Sequence, residues 1–194
     1  MASESAPQPQ NPVAAQPAST GLGDVLAAKL HIPAMISAVV QREQVEKLLQ
    51  KSLSRKLTLI TAPSGYGKTT CLAAFIGGTA EMAARTVWLT LDEYDNAPDQ
   101  FWTYIVTGVR KINPQFRLNH QALLQYGLEP ARNALLNPLI NRLADLSRPI
   151  YLVLDDFHAI QNPVILQNLK YLVEYQPENL HLYLLSRTPP ALPL

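Results

Sequence analysis

Short continuous apolar runs alternate with amphipathic segments along most of the chain. The runs at 57–61, 86–91, 150–155 and 180–186 have the length and composition of strands buried on both faces of a sheet. Between them, apolar positions recur at helical spacing. Strands that alternate with helices predict an α/β fold, with a parallel sheet and crossover connections.

The helical segments have recognisable ends. The first opens at 39–43, places Val45, Leu48 and Leu49 on one face, and ends near Ser54. Asn162 is the predicted N-cap of the last helix. Besides the first, helices are predicted at 68–76, 99–112 and 163–175.

The helical pattern from 121 to 146 is interrupted by Pro138. This proline either kinks one helix or, with Asn137 as N-cap, begins a second one. We prefer the second interpretation.

The composition limits the classes of protein to which the chain could belong. The chain is 47% apolar and 16% charged, with 16 basic and 15 acidic residues and a net charge of +1. It therefore has enough apolar residues for one substantial core, but no net field that would draw it to nucleic acid or an anionic membrane. The single cysteine, Cys71, is expected to be buried packing, and a reducing cytoplasm is the simplest compartment.

The first residues differ from the rest. Residues 1–24 are rich in Pro, Ala and Gln and are predicted to form a disordered tail, followed by one domain over 25–194. No basic, apolar leader and no run long enough to span a membrane is seen. The four histidines are scattered, and we expect ordinary structural roles for His31, His120, His158 and His181.

The loop after the first strand matches the phosphate-binding motif G-x-x-x-x-G-K-[ST] except at its first position, where Ala replaces Gly. Its residues are Ala62, Pro63, Ser64, Gly65, Tyr66, Gly67, Lys68 and Thr69. Such a loop turns backbone N–H groups inward as an anion nest, and the following helix adds the positive end of its dipole. Lys68 is expected to reach the β and γ phosphates, and Thr69 to bind Mg²⁺. A turn that merely needs glycine would not explain the Lys-Thr pair, so we predict ATP with Mg²⁺ as the ligand.

Polar residues end two other strands. Asp155 is predicted to bind Mg²⁺ through water, and Asp156 to orient or deprotonate a water attacking the γ-phosphate. The alternative for this pair is an N-cap of the next helix. Arg187 follows the fourth strand and is a candidate γ-phosphate sensor, although a surface arginine there is commonly inert. Asp92 and Glu93 follow the second strand, where a solvated loop explains them equally well.

Several segments together resemble the nucleotide-binding domain of MalT-like, large LuxR-family transcriptional regulators, which are signal-transduction ATPases with numerous domains. Ala62-Pro63 in place of Gly is usual in that family. Thr70 continues its phosphate motif, and Arg42 matches its adenine-side segment, although Gln41 stands where relatives often have Gly. The segments are 29–33, 56–70, 88–93, 152–158 and 185–188, with further matches at 95–96, 101–102 and 179–182.

The resemblance implies a three-layer P-loop ATPase with strand order 5-1-4-3-2. Four strands are present here, in the expected order 1-4-3-2, so we expect the domain to be incomplete at its C-terminal end. It also implies a switch in which the ADP form rests as a monomer, ATP and an inducer favour self-association, and slow hydrolysis resets the state. DNA binding would belong to a helix-turn-helix further along the family's chain, not to this part.

Two other functions stay open. A free-standing P-loop kinase or ATPase would need a lid or acceptor pocket, to which Arg110, Arg117 and Arg132 could contribute. A non-catalytic interaction fragment would keep the fold without useful nucleotide binding, and would expose apolar surface.

Overall fold

The computed structural model describes residues 25–34, 42–118 and 135–192. The strands are β1 (Leu57–Thr61), β2 (Thr86–Thr90), β3 (Ile150–Asp155) and β4 (Leu180–Ser186). The α-helices are α1 (Glu43–Ser52), α2 (Lys68–Gly77), α3 (Ala80–Ala83), α4 (Pro98–Ile112), α5 (Asn137–Ala144) and α6 (Pro163–Tyr175). Short 3₁₀ helices occur at Ala27–Lys29, Glu93–Asn96 and Phe157–Ala159. The predicted tail at 1–24 lies outside the described residues.

The four strands form one parallel sheet in the order β1-β4-β3-β2, so the predicted fold class and strand order are confirmed. In the register, Thr61 lies opposite Ser186 and Thr90 lies opposite Asp155. The carboxyl ends of the strands are therefore in line, and the loops that follow them meet at one edge of the sheet.

The core has two apolar layers, one on each face of the sheet. Leu152 and Leu154 of β3 point into the layer that α4, α5 and α6 cover, whereas Val153 points into the layer covered by α1, α2 and α3. This alternation follows from the two-residue period of a strand, and it confirms the three-layer architecture. Cys71 packs, partly buried, against the second layer, and burial raises the pKa of its thiol.

The structure confirms one predicted N-cap and contradicts another. Asn162 caps α6, since its side chain accepts a hydrogen bond from the Val164 amide at 2.9 Å. The helix containing Pro138 begins at Asn137, but the prediction of Asn137 as N-cap is wrong. Leu136 before it already has helical angles, and the Asn137 side chain instead accepts a hydrogen bond from the Tyr171 hydroxyl. The pattern from 121 to 134 lies outside the described residues.

Helix α1 begins at Glu43, and residues 39–41 of the predicted opening lie outside the described part of the chain. Val45, Leu48 and Leu49 line the same groove, as expected of one helix face, but Leu49 is buried whereas Leu48 is 64% exposed. The reason is that Leu48 faces a groove beside β1 instead of the sheet interior.

The segment 25–34 lies beside β2 and α4 and is held there by ion pairs and a hydrogen bond. The Lys29 ammonium lies 2.7 Å from Asp92 and 2.8 Å from Asp95, and Lys111 donates to the Leu30 carbonyl. Asp95 is completely buried and forms a capping box with Asp92. Asp92 is therefore part of an ion-pair network, and the interpretation of this residue as part of a solvated loop does not hold. Glu93 is exposed, as the solvated-loop interpretation expected.

Candidate functional site

The loop from Ala62 to Gly67 joins β1 to α2 at the carboxyl edge of the sheet. Gly65 and Gly67 have positive φ angles of 82° and 78°, and Gly67 is the left-handed N-cap of α2. A Cβ added at either glycine would meet no described atom within 4 Å, so the need for glycine lies in the backbone angles. Backbone in this conformation beside a helix N-terminus suits an anion.

Lys68 lies across this loop. Its ammonium donates hydrogen bonds to the carbonyl oxygens of Ala62, at 2.7 Å, and Pro63, at 3.1 Å. Both bonds are to neutral acceptors at the edge of the nest, and Lys68 is partly exposed. The ammonium is thus free to exchange a carbonyl for a phosphate oxygen, which is the stronger acceptor.

Thr69 and Asp155 come together beneath the loop. Asp155 is 3% exposed and accepts hydrogen bonds from the Thr69 hydroxyl and, at 2.9 Å, from the Asp156 amide. Burial raises the pKa of Asp155, while these two hydrogen bonds oppose the shift. A buried carboxylate next to a hydroxyl is a donor set that suits Mg²⁺.

The protein would supply only part of the ligands of such an ion. In the described residues, no group of three or more His, Cys, Asp or Glu side chains could hold a metal. Thr69 and Asp155 fit a Mg²⁺ that keeps waters and takes phosphate oxygens as its other ligands, which is the usual behaviour of this ion.

Asp156 has the left-handed backbone angles φ 54° and ψ 37°, and it is the one non-glycine residue with positive φ in the described ranges. It occupies the N-cap position of the 3₁₀ helix Phe157–Ala159, but its side chain makes no capping hydrogen bond. The alternative role of Asp156 as a helix cap is therefore not supported. Its carboxylate is 41% exposed, so water can reach it.

Arg187 follows β4, and its Nε lies 4.0 Å from the Asp156 carboxylate. Its side chain is 52% exposed. The structure thus brings the candidate sensor to the same edge as the candidate water-orienting group. Because both side chains are largely exposed, this ion pair by itself contributes little to stability and is easily exchanged for another partner.

Arg42 lies at the N-cap of α1 and lines an open groove of about 740 Å³ that runs from α1 over β1 to the phosphate loop. Tyr66 and Lys68 line the same groove, and Tyr66 is 62% exposed. The structure therefore places Arg42 on the approach to the loop. The remaining predicted contacts, Ser64 and Thr70, are exposed on the loop and on the first turn of α2.

Two residues near the site were not predicted as part of it. Asn96 bridges the loops after β2 and β3, because its side chain donates to the Ala159 carbonyl and accepts from the amides of Gln161 and Asn162. His158 Nδ1 lies 3.7 Å from the Asp156 carboxylate. Both lie in segments that carry the family resemblance, 95–96 and 152–158, but the resemblance gave neither a role, and a lone polar residue near a strand end is too common to be singled out.

The family model described as an AAA domain matches residues 51–188, which include the phosphate loop, both aspartates and Arg187. The chain belongs to the AAA domain family. The prediction of a P-loop nucleotide-binding domain is therefore confirmed at the level of the family.

This AAA domain is also similar to the HTH-type transcriptional regulator MalT. It is 35% identical to the protein from Serratia proteamaculans and 34% identical to that from Klebsiella pneumoniae subsp. pneumoniae, in each case over 168 residues and 87% of the chain. The match covers 18% of each relative. The chain thus spans about a fifth of the length of these relatives, and the predicted resemblance to MalT-like regulators is confirmed.

Solved structures share the fold at low identity. The crystal structure of Cdc6p from Pyrobaculum aerophilum matches with a TM-score of 0.54 and 19% identity, over 84% of this chain and 43% of that one. A structure of Drosophila ORC bound to DNA matches with a TM-score of 0.54 and 15% identity, over 95% and 48%. In the described part of the chain, no helix is long and apolar enough to cross a membrane.

Proposed function

We propose that this AAA domain binds ATP with Mg²⁺ at the carboxyl edge of its sheet. The observation that carries the proposal is the meeting of Lys68, Thr69 and Asp155 around one glycine-bearing loop, with the buried Asp155 accepting a hydrogen bond from Thr69. Burial makes the charge of Asp155 unfavourable, and Mg²⁺ bound to this carboxylate would offset that cost.

Each residue then has a distinct role. The loop amides from Ser64 to Thr70 hold the phosphates, and Lys68 balances the β and γ charges. Thr69 and Asp155 hold Mg²⁺, directly or through water, and the ion neutralises phosphate charge. Arg42 approaches the nucleotide from the α1 side, where the groove leads to the loop.

Hydrolysis would depend on Asp156 and Arg187. The Asp156 carboxylate is solvent-accessible and makes no capping bond, which leaves it available to orient or deprotonate a water. Arg187 is close enough to exchange Asp156 for a γ-phosphate. We expect hydrolysis to be slow, as the resemblance to ATP-dependent switches of the MalT-like regulators implies.

We further propose that the domain, residues 25–194, serves as a regulatory switch in a transcriptional regulator. Support comes from the similarity to proteins named HTH-type transcriptional regulator MalT over 87% of the chain. In this proposal the ATP form favours self-association and the ADP form rests. DNA binding belongs to another part of such a regulator, in keeping with the net charge of +1, and we place the protein in the cytoplasm.

The free-standing kinase is less well supported. Helix α4 leaves the carboxyl end of β2 and ends at Ile112, beside Ile150 at the amino end of β3. Arg110 and Arg117 bond to backbone carbonyls near that end of α4, away from the phosphate loop, and Arg132 lies outside the described residues. For the interaction fragment, the exposed Leu48 and Leu59 are a supporting sign, although neither argues against nucleotide binding.

The test is a calorimetric titration of ATP–Mg²⁺ into the purified chain and its Lys68→Ala variant, with phosphate release followed in parallel. We expect Lys68→Ala to weaken binding by about 30-fold or more, because a charge-assisted hydrogen bond contributes about 2 kcal/mol. Lys47→Ala removes an equal charge from the exposed face of α1 and is the matched control. Absence of binding by the wild type, or equal binding by the two variants, would refute the proposal.

A further inference from the structure

His158 stands beside the candidate water-orienting residue without an assigned role. It lies on the 3₁₀ helix that follows Asp156, and its Nδ1 is 3.7 Å from Asp156 Oδ1. We propose that His158 is a positioning residue that holds the Asp156 carboxylate through Nδ1–H. This inference deepens the proposed function and rests on it, since the effect on catalysis requires Asp156 to act on water.

The first support is the state of the His158 ring. Nδ1 is shielded from solvent and has no hydrogen-bond partner in the described residues, although the side chain as a whole is 25% exposed. A buried polar atom almost always has a partner in a native protein. The Asp156 carboxylate is the charged group that faces Nδ1, and a small rotation of this 41% exposed side chain closes the 3.7 Å gap to a hydrogen bond.

The second support is the contrast between the backbone and the side chain of Asp156. The backbone is held, since the Asp156 amide donates to Asp155, the Asp156 carbonyl accepts from Ala159, and Phe157 is buried at 1% exposure. A left-handed residue persists only where its surroundings determine it. The carboxylate, in contrast, makes no capping bond, so its direction depends on side chains that face it.

The third support is the position of Arg187. His158 Nδ1 and Arg187 Nε approach the same oxygen, Asp156 Oδ1, at 3.7 Å and 4.0 Å. If Arg187 turns to a γ-phosphate, Asp156 loses that partner at the moment when it must orient water. His158 lies on the turn that follows Asp156 and stays beside its carboxylate. The arrangement therefore assigns phosphate contact to Arg187 and orientation of Asp156 to His158.

The kinetic test compares two substitutions of His158 in the full chain. Leu has a similar volume and no donor, whereas Asn places an amide nitrogen where Nδ1 lies. We expect His158→Leu to lower kcat for ATP hydrolysis about 10-fold with KM unchanged, because misdirection of a catalytic group affects the rate and not binding. His158→Asn should recover most of the rate. His31→Leu, at an exposed histidine beside the amino end of β2, is the matched control.

Two further measurements separate this proposal from the function on which it rests. In an Asp156→Asn background, His158→Leu should have no added effect, since both act through one carboxylate. Nitrogen-15 NMR reports which ring nitrogen carries hydrogen and needs no nucleotide. It should show hydrogen on Nδ1 in the wild type and a shift towards Nε2 in Asp156→Ala.

The outcomes are distinct. Identical ring signals in the wild type and Asp156→Ala would overturn the proposal whether or not ATP binds. Equal losses in His158→Leu and His158→Asn, or an additive loss in the Asp156→Asn background, would overturn it as well. Failure of the wild type to bind ATP by calorimetry would refute the proposed function and with it the catalytic role of His158, while the NMR result would still decide whether the contact exists.

Discussion

The two edge strands of the sheet, β2 and β1, differ in how far they are covered. Strand β2 is covered, with Val87, Trp88 and Leu89 no more than 2% exposed, and the segment 25–34 is fastened beside it through Lys29. Strand β1 at the opposite edge is open, with Leu59 43% exposed beside the groove that leads to the phosphate loop.

Charged side chains near the two edges of the sheet have different kinds of partner. At the β2 edge, Lys29 has permanent partners in Asp92 and the buried Asp95. At the carboxyl end beside β1 and β4, Lys68 donates to two neutral carbonyls and to no other group of the described residues, and Arg187 and Asp156 form a long, exposed pair. Charges near the β2 edge therefore stabilise the fold, while those near the loop are available to a ligand. Substitutions in the two regions should separate stability from binding.

The largest effect on stability is expected for Lys29→Met. It leaves the buried Asp95 carboxylate without its cation, and we expect a loss of about 3 kcal/mol in the free energy of unfolding. ATP affinity should change less than about 2-fold where both proteins are folded, because the sites do not touch. Urea denaturation and calorimetry measure the two quantities. Lys47→Met is the control, and adding Asp95→Asn to Lys29→Met should recover part of the loss.

The pH dependence of this contribution has a defined sign. Burial lowers the pKa of Lys29, but the hydrogen bonds and charges of Asp92 and Asp95 outweigh burial and raise it. The Lys29 hydrogen bond is the main cause of the lowered pKa of Asp92. The contribution of the ion pairs to the free energy of unfolding is therefore complete between the ordinary pKa values of Asp and Lys. It is lost as pH rises through the raised pKa of Lys29, and it is also lost as pH falls through the lowered pKa of Asp92. An equal difference between wild type and Lys29→Met at every pH would contradict this account.

A smaller effect, of opposite sign, is expected for Asp155→Asn. Without Mg²⁺ at neutral pH, the variant should be more stable by about 1 kcal/mol, because removal of the buried charge outweighs the weakening of the hydrogen bonds from Thr69 and the Asp156 amide. Since burial raises the pKa of Asp155, this advantage should vanish as pH falls below that pKa. The variant should also lose the dependence of ATP binding on Mg²⁺. A destabilised variant with full Mg²⁺ dependence would exclude Asp155 from the metal site.

Much of the fold followed from local pattern. The bounds of β1, β3 and β4 match the apolar runs, because a parallel strand buried on both faces is continuous in sequence. Strand order came from resemblance to a family and not from the pattern. The exposure of Leu48 could not be predicted, because helical spacing does not say which neighbour covers a face. Asn137 was misassigned because a residue with N-cap chemistry can instead bond across the fold.

The site was predictable where the motif is contiguous. Lys68 and Thr69 lie in one loop, whereas the contact of Thr69 with Asp155 joins residues far apart in sequence, so it could be expected only through the parallel sheet. The ion pairs of Lys29 and the approach of His158 to Asp156 depend on how loops pack, which no short pattern encodes.

Hydrogen–deuterium exchange with and without ATP–Mg²⁺ tests the central claim most directly, because it locates the ligand. We predict protection of 62–70 and 155–157, no change at 25–34 or along β2, and loss of the protection in Lys68→Ala. Protection centred on 25–34 and β2, or none at the phosphate loop at saturating nucleotide, would contradict the assignment of the open carboxyl edge as the nucleotide site.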